Sequence, residues 1–214
     1  QKEKILKEYE KQEKPFFLYD PYTAPHWPLH AFSEDIKKYK GKYKDGWDKL
    51  RKRRYKNLID LGIIDEDWPK SPRDEKIQPW SEIENKKEME LKMEIYAAQI
   101  DRMDQGIGDI IHQLENLGEK ENTIVMFLSD NGGCHEGGPL GFDRRENGLS
   151  PGGEDSYMSY GRSWANLSNT PFRLFKHWVH EGGISTPLIA YWPRQIQESE
   201  MVHEISHLID ITAT

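Results

Sequence analysis

Asp130 and Asn131 stand between Ser129 and the pair Gly132-Gly133. A carboxylate beside an amide carbonyl offers hard oxygen ligands of the kind that Ca²⁺ or Mg²⁺ takes. The same residues can equally form a turn that closes a strand and binds nothing. His26 lies between Pro25 and Trp27-Pro28. A ring held stiffly by prolines can donate a hydrogen bond to an anionic oxygen or serve as a general acid. It can also simply pack against Pro25 and Trp27, and His30 is a second, weaker candidate for the same chemistry. Lys176 follows Phe172-Arg173-Leu174-Phe175 and precedes the turn Glu181-Gly182-Gly183. Beside a metal it would attract a tetrahedral oxyanion; alone it is an ordinary solvated lysine. Arg173 can orient the loop by pairing with a carboxylate. A metal, a histidine and a lysine together suit a sulfate or phosphate ester: the metal takes nonbridging oxygens and the cations offset developing charge.

The elements that must hold these residues can be read from periodicity. Thr123-Ile124-Val125-Met126-Phe127-Leu128 is a continuous apolar run that ends at Ser129. Such a run predicts a strand covered on both faces, as in a parallel sheet. Ligands of open α/β sheets gather at that carboxyl edge. Pro187 to Trp192 predicts another core strand, and Pro15-Phe16-Phe17-Leu18-Tyr19 a buried strand leading into the His26 loop. Met93, Ala97, Ile100, Met103, Ile107, Ile110, Ile111, Leu114 and Leu117 recur in steps of three and four, which predicts an amphipathic helix with one buried stripe. Gly118 suits its C-terminal cap, and Ser81-x-x-Glu84 has the form of a capping box. Ile205, Leu208, Ile209 and Thr212 predict a last helix from His203, and residues 1–13 are helix-permissive, with Ile5, Leu6 and Tyr9 on one side.

Composition narrows the function classes. The chain has 214 residues, 36% hydrophobic and 31% charged, and a net charge of -7. That balance argues against a general nucleic-acid binder. The basic run Lys49 to Arg54 therefore reads as a solvated helix face before a nucleic-acid patch. No apolar run approaches the ~18 residues of a membrane span. One cysteine, Cys134, excludes an internal disulfide and a Cys-cluster zinc site. Asp143, Arg144 and Arg145 lie in the Gly-rich segment 134–166 and can hold a sugar or aryl group, or form a surface salt-bridge cluster. Asn166-Leu167-Ser168 has the form of a glycosylation sequon. The chain begins at Gln1 and stops at Thr214 directly after an apolar stretch, so we expect an internal piece of a longer protein.

The motifs resemble those of one family. Ala24-Pro25-His26-Trp27-Pro28-Leu29 is similar to the sulfatase PHxPL loop, and Ser129-Asp130-Asn131-Gly132 to the sulfatase metal-ligand turn. Asn169-Thr170-Pro171-Phe172-Arg173 through Lys176 to Glu181-Gly182-Gly183 resembles the PFRxxK…EGG segment. Asp210-Ile211-Thr212-Ala213-Thr214 resembles the DIxPT helix, with Ala213 where the family usually has proline. The resemblance implies a type I, arylsulfatase-like sulfatase of the α/β, alkaline-phosphatase-like fold, with a mostly parallel central sheet flanked by helices. Residues 1–214 would be part of one catalytic domain, without its N-terminal nucleophile region and C-terminal subdomain, and residues 33–80 a variable insertion. Asp130 and Asn131 would be ligands of Ca²⁺ (or Mg²⁺). Lys176 would contact the sulfate, and His26 would contact it too and protonate the leaving alcohol oxygen. The substrate would be a small-molecule or sugar sulfate ester, and the family is commonly periplasmic, secreted or lysosomal.

The sequence departs from the family in one respect. The formylglycine nucleophile arises from a C/S-x-P-x-R motif, and none occurs in these residues: Cys134 runs into His135-Glu136-Gly137, and Ser71-Pro72-Arg73 has the wrong spacing. The N-terminal metal-binding aspartate pair is also missing. We therefore expect the nucleophile upstream of Gln1 and the isolated chain to be inactive. Two other readings stay open: a phosphoesterase of the same superfamily, and a non-catalytic metal-binding module that keeps the fold.

Overall fold

The computed structural model describes residues 14–144 and 149–213. The expected N-terminal helix face around Ile5, Leu6 and Tyr9, and Arg145, lie outside them. Among the described residues, six α-helices and two strands follow in the order α1 (Ser33–Tyr39), α2 (Gly46–Asp60), α3 (Lys86–Asn116), β1 (Val125–Leu128), α4 (Gly161–Ser168), α5 (Glu181–Ile184), β2 (Leu188–Tyr191) and α6 (Asp210–Ala213).

The long helix α3 is the spine. Its predicted stripe is present, and Gly118 closes it with φ +73°. Gly118 N–H donates to the Glu115 carbonyl and Glu119 N–H to that of Leu114, the two bonds of a Schellman end. The start differs from expectation. Trp80–Glu82 forms its own 3₁₀ turn, and α3 begins after Asn85, whose carbonyl takes the N–H groups of Glu88 and Met89. Ser81 is thus not the cap. The N-terminal half of α3 is also buried beyond one stripe: Met89, Lys92, Met93, Ile95, Ala97 and Ala98 are all inside. Lys92 is tolerated there because its Nζ donates to the Leu140 carbonyl at 2.9 Å and pairs with Glu88 at 3.1 Å.

The core is aromatic. Trp47 of α2, Trp80 and Trp164 of α4 pack with centroids 4.7–5.8 Å apart, mostly edge-to-face. Two of their polar ends are bonded: Trp47 Nε1 donates to Gln78 O and Trp164 Nε1 to Met89 O. Residues 33–80 supply Trp47, Leu50, Ile77 and Trp80 to this core, so this segment is built into the fold. On its outer side α1 docks on α3 through Asp35, 1% exposed, which is held by Lys38 (2.8 Å), Gln105 (3.2 Å) and Arg102 (2.6 Å). Burial alone would raise the Asp35 carboxyl, but these hydrogen bonds outweigh it and hold it below its ordinary value. The basic run lies on α2 and is mostly exposed, except Arg51, which turns inward.

The sheet departs from expectation. Among the described residues, β1 and β2 pair antiparallel, Val125 opposite Tyr191 and Leu128 opposite Leu188. No parallel, helix-flanked sheet forms among them. All four residues of β2 are exposed, and β1 is only half-buried. An apolar run shows that a strand seeks cover; it does not show the direction of its neighbour. Phe16 to Tyr19 makes no strand, and Phe17 and Tyr19 point to solvent. A strand needs a partner ladder, and the sheet of the described residues consists of β1 and β2. The final helix begins at Asp210 instead of His203. Among the described residues, no helix is long and apolar enough to cross a membrane.

Candidate functional site

Three loops meet at one end of β1. The His26 loop is anchored by Leu29, which is buried and donates its N–H to Met158 O at 3.0 Å. Gln99 of α3 donates to the His26 carbonyl at 3.3 Å. The His26 ring projects outward, and its Nδ1 lies 2.6 Å from the Trp27 carbonyl. A carbonyl only accepts, so Nδ1 carries the proton and Nε2 presents its lone pair. His30 is used otherwise: its Nε2 donates to Ser156 O at 2.8 Å, away from the other candidates.

The second loop is Ser129 to Gly133. Asp130 and Asn131 are exposed, and among the described residues no hydrogen bond or ion pair engages either side chain. Gly132, just behind them, and Gly182 of the third loop are needed for close approach. A Cβ on Gly132 would lie 1.8 Å from the Gly182 carbonyl oxygen, and one on Gly182 2.2 Å from that of Leu174. Gly132 N–H donates to Gly183 O at 3.0 Å, which docks this turn on the third loop, Asn169 to Gly183.

The third loop carries Lys176. Phe175, fully buried, fixes it in the core. Leu174 (φ 65°) and His177 (φ 82°) adopt left-handed backbone, a costly conformation for non-glycine residues that surrounding contacts must enforce. Asn169 supplies several of those contacts. Its Oδ1 accepts Gly133 N–H at 3.0 Å, and its Nδ2 donates to Leu174 O at 2.8 Å and Gly182 O at 2.6 Å. Behind it, Arg51 donates to Ser71 O and Oγ at 2.7 Å, and Ser71 Oγ lies 2.8 Å from the carbonyls of Pro171 and Phe172. Arg173 orients this loop through its backbone, where its carbonyl takes Gly182 N–H at 3.0 Å. No carboxylate of the described residues pairs with its side chain.

Lys176 and His26, 150 residues apart in sequence, meet with Nζ 2.6 Å from Nε2. Lys176 Nζ also lies 2.9 Å from Glu136 Oε1, and its N–H reaches Gly133 O at 3.3 Å. Glu136 is a site residue that sequence reading missed. It binds the Cys134 thiol, Lys176 and, at 3.2 Å, His177 Nε2. Burial pushes its carboxyl up, but the bonds from Cys134 and Lys176 outweigh that and bring it to about 2. Burial, then the bond to Glu136, pushes the Cys134 thiol up to about 12. The Gly-rich stretch after the Asp130-Asn131 turn is the one sequence signal of Glu136. Asn169 was visible only as the first residue of its motif.

An aromatic wall adjoins His26. Trp27 contacts Phe142 and Tyr157 edge-on, those two stack at 5.5 Å, and the Arg144 guanidinium lies over both rings. Asp143 bridges to Met158 through its backbone. The sequon asparagine Asn166 is buried in α4, with its carbonyl bound by Arg51, and so is not available for glycosylation in the folded chain.

Comparison with known proteins shows the family. The family model described as Sulfatase matches residues 2–214. The chain belongs to the sulfatase family, and with it to the alkaline-phosphatase-like class of α/β folds. It is 37% identical to a protein of Schizosaccharomyces pombe named as an uncharacterized sulfatase, over 99% of this chain and 41% of that protein. It is 33% identical to the arylsulfatase of Klebsiella aerogenes, over 95% of this chain and 46% of that protein. The chain thus spans less than half the length of these relatives. Among solved structures, Ps i-CgsB in complex with a neocarrahexaose covers 91% of this chain and 27% of its own, at 22% identity and a TM-score of 0.49.

Proposed function

We propose that this chain supplies the sulfate-binding and metal-binding part of an arylsulfatase-like sulfuric ester hydrolase. The observation that carries the reading is the meeting of His26 and Lys176 beside the Asp130-Asn131 turn. Asp130 and Asn131 fit a hard divalent cation, Ca²⁺ or Mg²⁺, because both are oxygen donors left exposed and unpartnered among the described residues. Such a cation polarises the nonbridging oxygens of the ester. Lys176 offsets the charge of the sulfate group, and Glu136 and Asn169 hold it in position. On binding the ester, His26 takes a proton from solvent at Nε2, which releases the hydrogen bond from Lys176 Nζ; Nε2–H then donates to the ester and passes to the leaving alcohol oxygen, while Nδ1–H stays on the Trp27 carbonyl and Lys176 keeps its charge. The formylglycine nucleophile has no source motif in these residues; another part of the protein supplies it, and the isolated chain is inactive. The Trp27, Phe142, Tyr157 and Arg144 wall suits an aryl or sugar ring on the ester.

The test compares an aryl sulfate with the matching aryl phosphate, using the whole polypeptide that carries these residues. Faster sulfate hydrolysis, lost on chelation of divalent cations, supports the proposal. Preference for the phosphate moves the protein to the phosphoesterases. Cation binding with turnover of neither leaves a non-catalytic module.

A further inference from the structure

A second set of ligand atoms lies beside the hard-cation turn. Cys134 Sγ, a Glu136 carboxylate oxygen and a His26 ring nitrogen all fall within 4.8 Å of one another. In a tetrahedral zinc site, bonds of roughly 2.0–2.3 Å set ligand atoms roughly 3.3–3.8 Å apart, so these three need only small side-chain shifts to share an ion. A thiol, an imidazole and a carboxylate form a borderline-soft set, which selects Zn²⁺ over Ca²⁺ or Mg²⁺.

Two further features prepare the place for a cation. The His26 Nδ1–H is bound to the Trp27 carbonyl at 2.6 Å, which fixes the ring and leaves the Nε2 lone pair as the one a cation can take. A backbone carbonyl on the second nitrogen is the usual way a metal-binding histidine is held. The lone pairs of His26 Nε2 and Glu136 Oε1 also already converge on a positive group, the Lys176 ammonium, at 2.6 and 2.9 Å. His177 Nε2, 3.2 Å from Glu136 Oε1, is the nearest further donor.

We propose that Cys134, Glu136 and His26 form a Zn²⁺ site, separate from the Asp130-Asn131 turn, in which the ion replaces the Lys176 ammonium. On binding, the Cys134 S–H bond breaks, its proton goes to solvent and the sulfur pair forms the S–Zn bond. Glu136 binds as the carboxylate, His26 through Nε2, and Lys176 swings outward with its charge kept. One proton leaves per ion. The ion takes His26 and displaces Lys176, so it also blocks sulfate-ester binding. That consequence alone rests on the proposed function.

The test titrates the 214-residue chain with Co²⁺ as a spectroscopic stand-in and then with Zn²⁺. The expected result is a thiolate-to-cobalt charge-transfer band that saturates at one equivalent and is abolished by Zn²⁺. With one cysteine in the chain, such a band can come only from Cys134. Cys134→Ser removes the band. His26→Ala, at an exposed ring outside the core, weakens Zn²⁺ at least tenfold, and Glu136→Gln does the same. Asp130→Ala leaves the band in place. A folded chain without the band overturns the proposal, as does a band that survives both His26→Ala and Glu136→Gln or vanishes with Asp130→Ala. Absence of sulfatase activity in the whole polypeptide has no bearing on these spectra, so the two readings fail separately.

Discussion

The helical half and the strand end of this molecule treat polar groups in opposite ways. In the helical half Asp35 is sealed from solvent and met by Lys38, Arg102 and Gln105, and each tryptophan nitrogen of the Trp47–Trp80–Trp164 cluster that is bonded finds a carbonyl. At the strand end, Asp130 and Asn131 stand exposed without partners among the described residues, while β2 leaves Leu188, Ile189 and Tyr191 in solvent. Stability and chemistry are therefore separated. The helical half pairs its buried Asp35 carboxylate and the indole N–H groups of Trp47 and Trp164, and the strand end holds Asp130 and Asn131 out on a glycine-docked turn.

Four substitutions or conditions sharpen that contrast. The largest effect is expected for Asp130→Ala. It should lower cation-dependent sulfate-ester hydrolysis by the whole polypeptide by ~10²- to 10³-fold, in the range of a lost electrostatic contact to the transition state, with an unchanged melting temperature. A matching fall in melting temperature would mean that Asp130 is a structural residue. Next, Gly132→Ala places a methyl group 1.8 Å from Gly182 O. It should cost about 3 kcal/mol in chemical denaturation, at the upper end for overpacking, and weaken Ca²⁺ binding as the turn lifts from the Lys176 loop. A variant with native stability and affinity would show that the two loops need not touch. Third, Asp35→Ala should cost about 2 kcal/mol, the scale of buried charged hydrogen bonds, with Ca²⁺ affinity per folded molecule unaltered.

The smallest effect is the acid response of Asp35. Its carboxyl is held below its ordinary 3.8 in the folded chain. A lowered carboxyl stabilises the fold above its unfolded value and loses that contribution as pH falls through the folded one. Denaturation curves should therefore show Asp35→Ala and the parent converging below pH ~4 and staying apart above it. Parallel curves throughout would remove the ionised carboxylate from the account.

The sequence made some of this legible. The apolar steps from Met93 to Leu117 described α3 and Gly118 its end, because periodicity and a left-handed cap are local properties. Both short strands were also visible as apolar runs. Their antiparallel pairing was not, since direction is set by a partner far along the chain. The same holds for the stretch Phe16 to Tyr19, whose β-like composition finds no ladder here. His26, Asp130, Asn131 and Lys176 stood out by residue type and motif, but their 150-residue separation concealed that His26 and Lys176 touch. Glu136 and Asn169 were hidden further, because each acts through contacts that only the packed loops create. Arg51 looked like one more charge of a solvated face until its bonds to Ser71 and Asn166 O were in view.

We propose that the Asp130-Asn131 turn and the His26–Lys176 pair form one sulfate site. Calorimetric titration of the 214-residue chain with inorganic sulfate, with and without Ca²⁺, is the decisive measurement. Sulfate should bind at least tenfold tighter when Ca²⁺ is present, with equal reciprocal tightening of Ca²⁺ by sulfate and loss of this coupling in Lys176→Ala. Sulfate binding that is indifferent to Ca²⁺, or coupling that survives in Lys176→Ala, would contradict it.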